Sequence, residues 1–443
     1  MSKNNSPLQV VVIGAGPSGF YTADALMEVV PNCCVDIIEA LPTPYGLIRS
    51  GVAPDHQNTK AVSRVFARTA QDSRFGYYGN VVLGKDVSLD ELHERYDAII
   101  LATGAPLDRP LGIPGSDAAG VYGSAAFVGW YNGHPSFKDL NPNLSETTTA
   151  AVIIGNGNVA IDVARVLIKT PHEMINSDLA THAAKIIHSS SIKDVYIIGR
   201  RSPLEAKFSN KELVEMGQLT AAIPVVDPAQ IPAKIYGVMS DLDRHIREKN
   251  LATLRNFSGF LSTNKRKSVH FLFNSRPVKV FSNGCVTGVR LERTRVESID
   301  ASGTGEMFEI PCGLVISAIG YQMPPLTGVP MDASSGVVAN LNGYVSKGLY
   351  VVGWAKRGPK GVIGTNKADA EIVADQILKH ISAGFLAGRV GLETLLTRRK
   401  VNWVSFSDWQ KIEASEVSTA PAGAPRKKIT KISDMLAIVK NKF

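Results

Sequence analysis

The chain has 443 residues, which suggests two domains of ordinary size, and its 44% hydrophobic and 20% charged residues describe a globular protein whose core needs no covalent staples. Its cysteines, Cys33, Cys34, Cys285 and Cys312, contain no C-x-x-C spacing, so neither a zinc site nor a dithiol redox motif is suggested; no metal is expected. No apolar run approaches the ~20 residues of a bilayer span, and a net charge of +8 suits an acidic partner without choosing among protein, nucleic acid and membrane surface.

Met1 to Pro7 is short and polar, leaving no room for a signal or transit peptide, so a cytoplasmic location is expected. A buried parallel strand follows at Leu8–Ile13 (LQVVVI). It runs into Gly14-Ala15-Gly16-Pro17-Ser18-Gly19, a G-x-G-x-x-G turn, then a helical pattern over Phe20–Val30. A second strand, Val35–Ile38, ends at Glu39 and Ala40. In this order the pieces define a dinucleotide site. Gly14 permits the tight turn, Gly16 lets the backbone approach a pyrophosphate, and Gly19 lets helix and strand close up. The helix N-terminus offers N–H groups to the phosphates, and Glu39 accepts from an adenosine ribose.

Asp97–Leu101 reads as another strand, closed by Ala102-Thr103-Gly104, whose end approaches the same nucleotide. A second copy of the motif starts with the strand Ala151–Ile154 and the turn Gly155-Asn156-Gly157-Asn158-Val159-Ala160, followed by a helix over Ile161–Lys169. The next strand, Val195–Ile198, ends in Gly199-Arg200-Arg201 rather than in an acid. An acid there would repel a 2′-phosphate, whereas two guanidinium groups bind it through charge-assisted, fork-like hydrogen bonds. The first site therefore suits FAD and the second NADPH. Further strands are expected at Leu314–Ile319 and Leu349–Val352.

The expected fold is α/β with parallel sheets: two Rossmann-like dinucleotide-binding domains, the NADP domain inserted into a discontinuous FAD domain. The expected boundaries are 1–106 and 320–443 for the FAD domain, the latter with a C-terminal extension, and 107–319 for the NADP domain. Ala414–Ala424, rich in Ser, Ala, Pro and Gly, reads as an exposed linker or loop. Arg426 to Phe443, with Arg426, Lys427, Lys428, Lys431, Lys440 and Lys442 against Asp434, reads as a solvated terminal helix.

Pro42 to His56 (PTPYGLIRSGVAPDH) resembles the signature of the adrenodoxin reductase family, the ferredoxin–NADP reductases of mitochondria and many bacteria. Matching strings recur along nearly the whole chain: FVGWYN from Phe127, GNGNVAIDVAR from Gly155, VYIIGRRSP from Val195, VGWAKRGPKGVIGTN from Val352 and VSFSDW from Val404. The resemblance implies that Glu39 and Leu47 contact the FAD adenosine and its linker, and that Leu83 lies against the adenine. It places Trp354 beside the flavin, with backbone groups of Gly361, Val362 and Ile363 at the isoalloxazine edge. It implies that Asn156, Gly157, Asn158 and Val159 hold the NADPH pyrophosphate, Arg200 and Arg201 the 2′-phosphate, and Glu212 the nicotinamide side, where Gly361 lets the two rings stack. His56 and Asp162 match residues of a polar network near the flavin. One stretch departs from the family pattern, which has a small apolar run before a Phe-Thr pair. Here it reads Ala206-Lys207-Phe208-Ser209-Asn210, so that Lys207 and Asn210 bear on the nicotinamide pocket or on coupling to the partner.

The implied reaction is hydride transfer from NADPH to FAD, then single-electron transfer to an acidic [2Fe–2S] ferredoxin; separately, a monomer is expected. Candidate docking cations are Arg244, Arg247 and Lys249, with Lys265, Arg266 and Lys267 nearby. A quinone or dye reductase with no dedicated ferredoxin uses the same two sites and differs only at the surface. A disulfide reductase lacks its dithiol, a nucleotide sensor lacks damage in the flavin-facing segments, and nucleic-acid binding lacks any aromatic-and-basic motif.

Overall fold

The structure is a computed structural model that describes residues 6–144, 147–237, 239–260, 265–296 and 301–439. They divide into two compact units, residues 6–107 with 321–439, and the described residues of 108–320.

The first unit is built on a six-stranded sheet in the order Tyr344–Ser346, Leu349–Val351, Ala98–Leu101, Leu8–Ile13, Cys33–Glu39, Phe75–Gly79. All neighbours are parallel except the first pair. Leu8–Ile13 is apolar at nearly every position because both of its faces are covered. Val10 and Val12 join a core with Phe20, Leu26, Val373 and Ile377, whereas Val11 and Ile13 join another with Ile99, Leu392 and Leu396. The strand's period of two thus feeds two layers of helices. Strand order reverses at Leu8–Ile13, with Ala98–Leu101 on one side and Cys33–Glu39 on the other, and in such sheets the ligand crevice lies at the C-terminal ends flanking that point.

The second unit has its own six-stranded sheet, parallel throughout, in the order Val121–Gly123, Leu314–Ser317, Ala150–Ile154, Asp194–Ile198, Lys267–Leu272, Ala222–Val226. One face packs on helices, including Asn158–Ile168 through Ile161, Val163 and Leu167. The other packs on a three-stranded antiparallel sheet, Ser275–Asn283, Cys285–Val296 and Ala301–Pro311, through Val280, Val289, Leu291 and Ile310.

Several local expectations are corrected. The two helices after the glycine turns begin at Pro17 and Asn158, three residues earlier than expected, the first with proline in its opening turn, where its missing N–H costs nothing. Residues 414–418 belong to helix Phe406–Ser418, which Ser405 and Asp408 open as a reciprocal capping box, so the loop is shorter than the composition suggested. Helix Ile432–Val439 is docked rather than solvated, with Met435 and Val439 in the core of its unit. Lys428 is buried and donates to the Arg49 carbonyl at 2.9 Å, and Arg426 pairs with Glu413 at 2.9 Å. Lys440 and Lys442 lie outside the described residues.

Lys265 and Lys267 do not present bare surface charge either. Lys265 Nζ donates to the Leu219 and Ala222 carbonyls at 2.5 and 3.2 Å, and Lys267 Nζ to the Ile168 carbonyl at 3.2 Å. Arg244 and Lys249 are exposed on helix Asp241–Ser258, and Arg247 is half-buried.

Candidate dinucleotide sites

The first glycine turn occupies the sheet's switch point. Gly14 has φ +112, and a Cβ there would stand 2.5 Å from the Ala102 carbonyl oxygen, so no side chain fits. Around Gly16 nothing lies within 4 Å of an added Cβ, which leaves an open cradle at the helix start. Gly16 caps helix Pro17–Val29 without a side-chain acceptor, leaving its first N–H groups to a ligand.

Glu39 locks this turn. One carboxylate oxygen accepts from the Ala15 N–H at 2.9 Å and the other from the Leu41 N–H at 3.1 Å. Burial pushes the Glu39 carboxyl up, against the pull of these hydrogen bonds. A carboxylate has about four lone-pair sites, so accepting two N–H groups leaves capacity for ribose hydroxyls. Ala40 is exposed behind it. Thr103 Oγ1 is buried without a hydrogen-bond partner, and Gly104 follows at φ +68. An orphaned buried hydroxyl beside an open glycine cradle fits a bound polar ligand.

The segment after Glu39 folds onto the same turn. Tyr45 N–H donates to the Ala15 carbonyl at 2.8 Å, and Leu47 stands 44% exposed at the start of the short helix Leu47–Ser50. Arg49 grips the fully buried Glu416 at 2.9 and 2.5 Å and lies 5.2 Å over the Trp409 ring. His56 N–H donates to the Ala53 carbonyl, and the half-buried imidazole belongs to the same stretch. Leu83 packs beside Val81 and Val87.

Beyond strand Leu349–Val351, a Cβ on Gly353 would meet Ser18 Cβ at 2.7 Å, so this segment passes tightly by the first helix. Trp354 is half-buried, its ring 5.8 Å from that of Tyr321. Asp369, missed by sequence reasoning, clamps the segment through the Gly353 N–H, Lys356 and Arg357. Gly361 and Val362 are exposed and Ile363 half-buried. The Val362 N–H, expected to face a ring edge, donates to Thr365 Oγ1 at 3.1 Å.

The second glycine turn repeats the first in its own unit. Gly155 has φ +141, and an added Cβ would collide with the Ala318 backbone; around Gly157 such a Cβ would meet only Lys207 Cβ, at 3.8 Å. Gly157 again caps a helix without a side-chain acceptor. Asn156 Oδ1 is buried with no hydrogen-bond partner, again a fit for a ligand donor. Asn158 Oδ1 accepts the Ser209 N–H at 2.7 Å, and Val159 is half-buried against the core. Arg200 is exposed and Arg201 half-buried at the end of strand Asp194–Ile198, their carbonyls held by Thr294 Oγ1 and the Asn274 N–H.

Arg165, also missed, organises the helices of this unit. It is fully buried and pairs with Asp162 at 2.9 Å, Glu212 at 3.3 Å and Glu215 at 2.9 Å. Its only signal was an arginine three residues after Asp162 on a largely apolar helix. Asn210 is engaged elsewhere, its Nδ2 donating to Thr253 Oγ1 at 2.9 Å. The cysteines are all free; burial pushes Cys33 up to about 11 and Cys312 up to about 12, the state of inert thiols.

Two glycine-turn helices on two largely parallel sheets, the next strand closed by an acid in one and by paired arginines in the other, define an oxidoreductase of the two-dinucleotide class. A family model described as "Pyridine nucleotide-disulphide oxidoreductase" matches residues 8–216. The chain is 40% identical to the mitochondrial NADPH:adrenodoxin oxidoreductase of Arabidopsis thaliana, covering 99% of this chain and 97% of the relative. It is 41% identical to the human mitochondrial NADPH:adrenodoxin oxidoreductase, covering 97% and 92%. The solved structure of Mycobacterium tuberculosis FprA in complex with NADPH superposes with a TM-score of 0.92 at 38% identity, covering 98% of this chain and 99% of that one. The chain belongs to the family of NADPH:adrenodoxin oxidoreductases and NADPH-ferredoxin reductases.

Proposed function

We propose that this protein is an FAD-containing NADPH-ferredoxin reductase, in which the unit formed by residues 1–107 and 321–443 holds FAD and residues 108–320 hold NADPH. One observation carries the reading: two like turns carry opposite charge at the end of the following strand, Glu39 on the first and Arg200 with Arg201 on the second. A carboxylate selects ribose hydroxyls, and a pair of guanidinium groups selects a 2′-phosphate. FAD held here would supply the chemistry of hydride acceptance from NADPH and one-electron release to a [2Fe–2S] ferredoxin.

The chain's own residues bind and orient. Gly14 to Gly19 and Gly155 to Ala160 present helix N–H groups to the two pyrophosphates. Leu47, Leu83, Thr103 and Gly104 line the FAD side, with Trp354 as a flat apolar wall. Gly361 and Ile363 offer their main chain at the ring edge, where N–H dipoles favour charge on a reduced ring, whereas the Val362 N–H is taken by Thr365 Oγ1. His56 and the Arg165-held carboxylates of Asp162 and Glu212 supply polar partners. No helix of the described residues is long and apolar enough to cross a membrane. The proposal extends to an acidic ferredoxin as acceptor, drawn by the net charge of +8, to a monomer and to a cytoplasmic location.

The test is an absorption spectrum of the purified protein before and after anaerobic NADPH, followed by a [2Fe–2S] ferredoxin and cytochrome c. A flavin spectrum that bleaches, with cytochrome c reduction requiring the ferredoxin, is the expected result. Bleaching without ferredoxin dependence transfers the acceptor to quinones or dyes. A protein that takes up no FAD overturns the reading.

A further inference from the structure

Lys207 stands where the chain departs from its family's sequence pattern, and its surroundings give that departure a use. Its N–H donates to the Asn156 carbonyl at 2.8 Å, and it forms a parallel bridge with Gly157. Two residues on, the Ser209 N–H donates to Asn158 Oδ1 at 2.7 Å. The strip Lys207–Ser209 is thereby laced to the second glycine turn at two points. Both bonds use main-chain N–H groups of the strip, so they hold the position of residue 207 whatever its side chain.

Phe208 is buried and Lys207 exposed, so the ammonium is available to solvent or ligand. Among the described residues no carboxylate pairs with it within 4.0 Å. The Lys207 Cβ lies 3.8 Å from where a Cβ on Gly157 would stand, at the rim of the cradle that opens onto the helix start. A four-carbon stem then places the ammonium within reach of any anion in that cradle.

The charge balance supplies the reason. Gly155 to Ala160 contains no charged side chain, so a diphosphate there would meet helix N–H dipoles and no cation from the turn itself. Arg200 and Arg201, at the end of the next strand, are assigned to the other phosphate. We propose that Lys207 is a diphosphate-binding residue of the second site, a cation that supplements the N–H groups of helix Asn158–Ile168. This rests on the reading of that site as a dinucleotide site.

The experiment compares two probes by calorimetry on the purified protein: NADP+, which has the diphosphate bridge, and adenosine 2′-monophosphate, which keeps the 2′-phosphate but has no phosphate on its 5′ side. In Lys207→Ala, affinity for NADP+ falls about fivefold at low ionic strength, the size expected of a solvent-exposed ion pair, and affinity for the 2′-monophosphate is unchanged. Lys207→Arg retains NADP+ affinity, and Lys207→Glu loses more than the alanine variant. The difference shrinks as salt rises. NADP+ affinity unchanged in Lys207→Ala overturns the proposal, as does an equal loss for both probes. A wild-type protein that binds neither probe overturns the dinucleotide reading itself, and this proposal with it.

Discussion

Arg49 holds Glu416 with both arms of its guanidinium, at 2.9 and 2.5 Å, across 367 positions of sequence. Glu416 also accepts the Ile429 N–H at 2.8 Å, so one buried carboxylate joins the segment Pro42–Gly51, helix Phe406–Ser418 and the stretch that leads into the last helix. Deleting one partner of a buried pair leaves the other charge stranded, at a cost of about 3–5 kcal/mol. Glu416→Ala is expected to lower the denaturation midpoint of this unit and to loosen FAD, because Pro42–Gly51 lies against the first glycine turn. Urea unfolding and flavin content after dialysis check it; a variant with wild-type values in both would show the bridge to be incidental.

The same residue predicts an acid limit. Burial raises the Glu416 carboxyl, but the Arg49 charge and the hydrogen bonds outweigh it and hold the group below its ordinary value of 4.5. A group whose folded value is depressed contributes stability above its unfolded value and loses it as pH falls through the folded one. The wild-type melting temperature should therefore decline more steeply below pH 4.5 than that of Glu416→Gln, the two curves converging in acid. Parallel curves would remove Glu416 from the acid response.

Arg200→Ala combined with Arg201→Ala is expected to erode the preference for NADPH over NADH by about tenfold to a hundredfold, since each charged hydrogen bond contributes roughly 1.5–3 kcal/mol before solvent screening. The ratio of kcat/KM for the two cofactors measures it. A ratio that stays put assigns the 2′-phosphate to other residues.

Arg165→Ala is expected to be among the most damaging single changes in its unit, at about 3–5 kcal/mol, because three carboxylates lose the buried cation between them. Arg165→Lys, which keeps a cation between the carboxylates, should retain part of that stability, whereas Arg165→Met, which keeps bulk without charge, should not. Thermal melts of the two variants at pH 7 separate lost charge from lost packing.

The parts of this fold legible in the sequence were those whose cause is local. Glycine turns, the apolar runs of Leu8–Ile13 and Ala150–Ile154, and the residues closing the next strands declare themselves within about thirty positions. Glu39 did so as an acceptor, though not as the lock on Ala15. Arg165 could not be read as the centre of a cluster, since two of its partners are 47 and 50 residues away. The C-terminal tail misled because its charges are dense, while the pair that anchors it, Met435 and Val439, is a single helical turn of apolar spacing. Lys265 and Lys267 misled for a similar reason: a lysine bound to carbonyl oxygens looks in sequence like one bound to water. The antiparallel sheet over Ser275–Pro311 covers a face of the second unit where helices were the simpler expectation.

The chain leaves its first unit after Leu107 and returns only at Tyr321, and this has a consequence for synthesis. Strand Ala98–Leu101 finds Leu8–Ile13 early, but its other neighbour, Leu349–Val351, is among the last parts of the sheet to be made. Until then the growing chain carries a bare, wholly apolar strand edge, the kind of surface on which unfinished chains stick to one another. The inserted unit is continuous in sequence and can close as soon as it emerges. The half-built first sheet must wait for it, and the order of birth makes that wait, rather than either finished unit, the vulnerable period in the life of this protein.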